Sequence, residues 1–202
     1  MPATFFMGDP HFGHELVSVI RGYETPEEMT KHIVGKWVKS VKDDDTVYVM
    51  GDLSGGGVQT ETEALLILAD LPGRKRLISG NHDSTSGVHV AASKNWGLMT
   101  HVFESVRDYG RLNHNGRRIV LSHFPYIESG DGPNRGHARY EQFRLPNIGN
   151  YLIHAHTHHD DPISGSKTGL EICVSWDAWH RMVDMGDIQQ QIKKLEKINA
   201  IG

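Results

Sequence analysis

A chain of 202 residues, 38% hydrophobic and 23% charged, fits one folded domain and leaves little room for two. Its 21 Lys and Arg against 25 Asp and Glu give a net charge of −4, which argues against a broad nucleic-acid face or an anionic-membrane surface. One cysteine, Cys173, excludes an internal disulfide and a Cys-ligated zinc site. Short runs rich in Val, Ile, Phe and Tyr predict strands at residues 4–7, 46–50, 76–79, 102–106, 118–122, 151–153 and 170–174. After the first of them, Thr25-Pro26-Glu27-Glu28 reads as a capping box with proline at the first helical position. Met29, Ile33, Trp37 and Val41 follow at four-residue spacing and predict an amphipathic helix packed on a sheet. Residues 59–70 and 88–96 carry weaker helical patterns. Residues 127–150, rich in Gly, Asn, Arg and Pro, read as a long loop. A last helix is predicted at 187–198, with Ile188, Ile192 and Leu195 on one face. Strands alternating with helices early, then mainly strands, predict a layered α/β fold with mixed sheets in a single domain over 1–202.

Polar residues end the predicted strands in a repeated way. The first ends in Gly8-Asp9-Pro10-His11, the second in Gly51-Asp52 and the third in Gly80-Asn81-His82-Asp83. Later strands end in Ser122-His123 and in His154-Ala155-His156-Thr157-His158. These clusters hold six of the 14 histidines, the commonest metal-ligating side chain and the usual acid or base near neutral pH. In an extended chain residues i and i+2 share a side, so Asp9 with His11, and two of His154, His156 and His158, can each grip one centre. In open α/β sheets such clusters gather beyond the carboxyl ends of the strands. Asp9, His11, Asp52, Asn81, His123, His156 and His158 make seven N/O donors without a thiolate. That is more than one zinc takes and the wrong type for calcium. It suits two transition metals bridged by a carboxylate.

The ordered set Asp-x-His, Gly-Asp, Gly-Asn-His-Asp, Ser-His and His-x-His resembles the calcineurin-like metallophosphoesterase family. The opening Asp9-Pro10-His11-Phe12-Gly13-His14 is similar to its small bacterial and phage-type members, and the resemblance runs from Phe5 to about Val183. It implies a four-layer α/β/β/α sandwich with two mixed β-sheets. It also implies a binuclear centre in which Asp9, His11 and His158 bind one metal, Asn81, His123 and His156 bind the other, and Asp52 bridges both. The implied cations are Mn²⁺ or Fe, with Zn²⁺ or Co²⁺ compatible with the same donors. The implied reaction is phosphoester hydrolysis by a metal-bridging hydroxide, His82 protonating the leaving alkoxide and Asp83 orienting its imidazole. Nucleotide phosphodiesters such as 2′,3′-cyclic nucleotides are the first substrate class. A phosphomonoesterase, a nuclease or a non-catalytic metal-bound scaffold are the alternatives, the nuclease disfavoured by the acidic chain. Ala155 stands where the family usually has glycine, a costly change only if that position needs φ > 0.

Three further features have two readings each. His14 either touches phosphate beside the metals or hydrogen-bonds locally. Arg135 and Arg139, in the long loop after His123, either clamp a phosphate bidentately or stand in solvent. Gly55-Gly56-Gly57 reads as a flexible turn rather than a phosphate cradle, because no helix-opening Lys or Ser/Thr completes a P-loop. The first residues lack a basic start and a long apolar core and no apolar run approaches membrane-spanning length, so neither a signal peptide nor a membrane span is expected, and a cytoplasmic enzyme or binding protein is.

Overall fold

The computed structural model describes residues 2–131, 138–163 and 165–200. Its elements in chain order are β1 (Thr4–Met7), α1 (Glu15–Ile20), α2 (Pro26–Ser40), β2 (Thr46–Val49), α3 (Val58–Ala69), β3 (Arg74–Ile78) and α4 (Trp96–Met99). There follow β4 (Ser105–Arg107), β5 (Tyr109–His114), β6 (Arg117–Ser122), β7 (Tyr151–His154), β8 (Glu171–Cys173), α5 (Trp176–Trp179), β9 (Val183–Asp184) and α6 (Met185–Asn199). Thr25 caps α2 as its sequence predicts, its hydroxyl accepting from the Glu28 N–H at 3.1 Å. The helical pattern over 88–96 condenses instead to a 3₁₀ turn at Ala92–Lys94 and the four residues of α4. The strand expected at 102–106 starts only at Ser105, because Val102 and Phe103 still bond back to the Met99 carbonyl. Sequence reading missed α1, β5 and β9. β5 is an edge strand of alternating exposure, paired with β6 through the Asn115-Gly116 hairpin turn, a signal that was available.

Two mixed sheets result, ordered β4-β3-β2-β1-β9 and β5-β6-β7-β8. In the first only β9 runs antiparallel, and in the second only β5 does. Alternation along the strands decides what each face meets. Met7, Val49 and Leu77 turn outward and bury against Met29, Ile33 and Trp37 of α2 and Ala64, Leu65 and Leu68 of α3. Phe6, Met50 and Ile78 turn inward against Ile119, Leu121, Ile153 and Ile172 of the second sheet. α6 adds Ile188, Ile192 and Leu195 to that inner core, and its Glu196 reaches Arg117 and Tyr151 at the amino-terminal ends of β6 and β7. On the outer side of the second sheet the buried Glu171 gathers the Tyr126 N–H (2.7 Å) and the hydroxyls of Thr168 (2.9 Å) and Ser166 (3.1 Å). The expected α/β sandwich of two mixed sheets is thus present, and the carboxyl ends of β1, β2, β3, β6 and β7 converge on one rim.

Ala155 joins the sheets at that rim without strain, since its φ is not positive. A Cβ at Gly8 would lie 2.4 Å from the Ala155 Cβ, so the methyl here is accommodated by the missing side chain across the interface. Gly8→Ala should therefore destabilise the fold by about 1–3 kcal/mol, and Ala155→Gly in the same chain should recover most of that loss. Urea unfolding of the two single variants and the double variant measures the coupling. Strictly additive effects would contradict the contact.

Candidate metal centre

The strand-end motifs are kinked turns rather than extended chain. Asp9, His11, Asp52, His156 and His158 all have positive φ, between 48° and 71°. Non-glycine residues in this region carry a conformational cost, and such residues cluster at functional sites. Cross-links between loops hold them there. The Asp9 and His11 N–H groups donate to the Gly51 and Asp52 carbonyls (3.0 and 3.1 Å), and the His156 N–H, from the other sheet, donates to Asp9 Oδ2 at 2.9 Å. Gly80 passes so close to the second loop that a Cβ there would stand 2.3 Å from Asp52 Oδ1.

Two groups of ligand atoms form. One atom each from Asp9, His11 and His158 lie within 4.8 Å of one another, and so do one atom each from Asp52, His123 and His156. Asn81 joins the second group, its Oδ1 3.2 Å from His123 Nε2. Asp52 stands between the groups, with Oδ2 3.9 Å from His11 Nε2 and 3.5 Å from His123 Nε2. His154 belongs to neither. Its ring turns back to the Ala155 carbonyl at 2.9 Å, so the structure brings His156 and His158 to the site and leaves His154 out.

Hydrogen bonds on the far side of each ring fix which nitrogen faces the centre. His11 Nδ1–H donates to the Ser54 carbonyl (3.0 Å), His158 Nδ1–H to Asp177 (2.8 Å) and His123 Nδ1–H to the Met50 carbonyl (2.7 Å). In the neutral rings, then, Nε2 carries a lone pair. The Nε2 atoms of His11 and His158 face each other at 3.3 Å, an arrangement that repels unless a cation or proton lies between. His156 donates from Nε2 to Asp131 at 3.2 Å, which leaves its Nδ1 for the centre. Asp9 Oδ1 is buried with no hydrogen-bond partner, although Oδ2 accepts from Ser175 as well as from His156. A buried carboxylate oxygen without a donor is costly unless a cation meets it. The residues present therefore fit divalent metals.

Electrostatics divide the four histidines: burial lowers His11 and His156, while neighbouring carboxylates outweigh burial and raise His123 and His158. Burial lowers the pKa of His11 to about 4 and that of His156 to about 3, so both are ready as neutral ligands. Burial also works against the His123 imidazolium, but Asp52 and then Asp9 outweigh it and raise its pKa to about 9. Burial opposes the Asp52 carboxylate too. His123 above all, then His11 and His82, hold it well below the usual carboxylate range.

Two acids outside the predicted set orient the ligands. Asp177 of α5 accepts from His158 and from the buried Arg21 guanidinium (3.0 and 2.7 Å), which itself donates to the Asp9 carbonyl at 2.7 Å. Asp131 accepts from His156, Arg139 and Arg144. Spacing gives no sign of either, since each lies at least 19 residues from its histidine. The one available signal for Asp177 was an acid just past the end of a predicted strand. Asp177→Ala should weaken the metal step at Asp9, His11 and His158 about 10–100-fold while leaving the other step in place. Two-site calorimetry with Mn²⁺ resolves the steps, and an unchanged isotherm would contradict the role.

The remaining predicted residues divide. His11, His14, His82, Arg139, His156 and His158 line one cavity of about 260 Å³. The His82 side chain is 38% exposed there, its Nε2 4.0 Å from Asp52 Oδ2 and its N–H bonded to Asp52 Oδ1. His14 packs edge-on to His11 with ring centroids 5.4 Å apart, and burial and His82 lower its pKa. Arg139 sits at the mouth with its Nε on Asp131. Asp83 requires a correction. Its carboxylate does not orient the His82 ring, because it accepts instead from the N–H groups of Gly80 (2.7 Å), Leu53 (2.9 Å) and Asp52 (3.0 Å). It ties the second and third loops together. Arg135 lies outside the described residues. Gly55-Gly56-Gly57 is a turn, as expected, leading into α3.

Residues 4–160 match the family model for calcineurin-like phosphoesterases. The chain is 35% identical over 209 aligned positions to the gene 66 protein of Mycobacterium phage L5, covering 100% of this chain and 99% of that one. It is 32% identical over 202 positions to the gene 66 protein of Mycobacterium phage D29, covering 98% and 99%. A protein of unknown function from Aquifex aeolicus has a similar solved structure, with a TM-score of 0.67 at 24% identity over 94% of this chain and 99% of that one; this likeness shows the fold alone. Among the described residues no helix is long and apolar enough to cross a membrane.

Proposed function

We propose that this chain, which belongs to the calcineurin-like phosphoesterase family, hydrolyses small phosphodiesters with two divalent cations, nucleotide diesters such as 2′,3′-cyclic nucleotides first among them. The observation that carries the metal reading is the pair of facing Nε2 atoms at 3.3 Å beside the unpartnered Asp9 Oδ1. Asp9, His11 and His158 would hold one cation, Asn81, His123 and His156 the other, with Asp52 shared. Mn²⁺ is the cation the family resemblance puts first, and the imidazole, carboxylate and amide donors are equally compatible with Fe, Zn²⁺ or Co²⁺. Such a pair supplies an activated water and positive charge against the phosphoryl oxygens.

The chain's own residues do the rest. His82 is the group free to give a proton to a departing alkoxide, since it lines the cavity and its ring is not committed to a ligand position. Asp52 holds the His82 backbone, so acid and bridging ligand keep a fixed relation. Arg139, held by Asp131 at the mouth, offers a guanidinium to a non-bridging oxygen. A cavity of about 260 Å³ supports a small ester over a polymer. We place the activity in the cytoplasm, a compartment with which a lone buried thiol is compatible. The test is turnover of bis(p-nitrophenyl) phosphate and p-nitrophenyl phosphate by metal-stripped protein with and without Mn²⁺, followed by 2′,3′-cyclic nucleotides. Mn²⁺-dependent preference for diesters supports the proposal. Preference for the monoester makes the enzyme a phosphatase, and no turnover of either contradicts both.

A further inference from the structure

α1 is an uncommon surface helix. Of its six residues, Leu16, Val19 and Ile20 are apolar and 63%, 66% and 71% exposed. Leu16 and Ile20 stand one turn apart on the same face. With the half-buried Val17 they line the cavity that also holds His11, His82 and His158. One side of this cavity is therefore imidazole and the other hydrocarbon. Exposed apolar surface beside a polar site marks contact with a ligand's apolar part.

The helix is also fastened to the site. Arg21, its C-cap residue, donates to both oxygens of Asp177 and to the Asp9 and Pro10 carbonyls, the last at 3.2 Å. Asp177 in turn orients His158. Wall and candidate ligand share one anchor, so the hydrocarbon face stands at a fixed place relative to the reacting group. Binding to a preorganised wall carries little ordering cost.

We propose that Leu16, Val17 and Ile20 form a specificity wall that receives the organic group of the ester, and that the substrate is a low-molecular-weight phosphoester bearing a compact apolar group next to the phosphoryl end. The inference rests on the proposed metal site, which holds the phosphoryl end. It separates this substrate class from inorganic polyphosphate and from methyl phosphates, which offer little or no apolar surface to the wall.

The test is calorimetric binding of phenylphosphonate and methylphosphonate, neither of which is hydrolysed, to the Mn²⁺-loaded protein and to the double variant Leu16→Ser/Ile20→Ser. Both side chains are largely exposed, so the serines remove no core packing, and a thermal melt checks that the variant is folded. Phenylphosphonate should bind about tenfold more tightly than methylphosphonate, about 1.4 kcal/mol. The double variant should close that gap to about twofold by weakening phenylphosphonate alone. Equal affinities in the unmodified protein, a gap that survives the serines, or equal weakening of both ligands would overturn the wall. If neither phosphonate binds, the metal-site reading fails, and the wall fails with it.

Discussion

Asp52→Asn should lower kcat for any phosphoester by at least about a thousandfold, about 4 kcal/mol of barrier. The substitution keeps size and an oxygen to accept the His82 N–H, so backbone geometry survives. What it removes is negative charge at the point shared by both ligand groups, where Oδ2 stands 3.5 Å from His123 and 3.9 Å from His11. An amide donates through one end and cannot hold two cations together. Steady-state kinetics with saturating Mn²⁺, beside a thermal melt, separates this loss from misfolding. A folded variant retaining a tenth of the activity would show that Asp52 is not the bridging ligand.

His82→Ala should give a loss that depends on the leaving group. For esters that expel an alkoxide, such as a cyclic nucleotide, kcat should fall about 10²–10⁴-fold, the usual contribution of a positioned acid. For p-nitrophenyl esters, whose leaving group departs without a proton, the fall should be about tenfold or less. Fold and metal affinity should be unaffected, because the His82 ring is part-exposed and belongs to neither ligand group. Equal losses on both substrates would assign the ring to binding rather than proton transfer. Asp83→Asn, by contrast, should act mainly on stability, since its carboxylate meets three backbone N–H groups and not the imidazole.

Much of this site is legible in the sequence for a topological reason. Parallel strands deliver their carboxyl ends to one rim, so Asp9, Asp52, Asn81, His123 and His156 meet without any detail of the loops. The α2 stripe is equally plain, because Thr25 and the four-residue spacing act locally. The expectation of extended Asp-x-His and His-x-His segments failed, since left-handed turns at Asp9, His11, His156 and His158 aim the side chains inward. Local spacing cannot report partners supplied by distant chain, which is why Asp131 and Asp177 went unseen. The family resemblance assigned Asp83 to its neighbour His82, when tertiary structure gives it to backbone amides. α1 was illegible for the opposite reason: its apolar residues face a cavity rather than a core, so they form no helical core stripe.

The most direct measurement is the number of Mn²⁺ ions bound per chain at equilibrium, by calorimetry on metal-stripped protein with elemental analysis of the complex. Two ions per chain are expected, with His158→Ala removing one step and His123→Ala the other. A single ion, or none, in folded protein would contradict the binuclear centre on which the proposed chemistry rests.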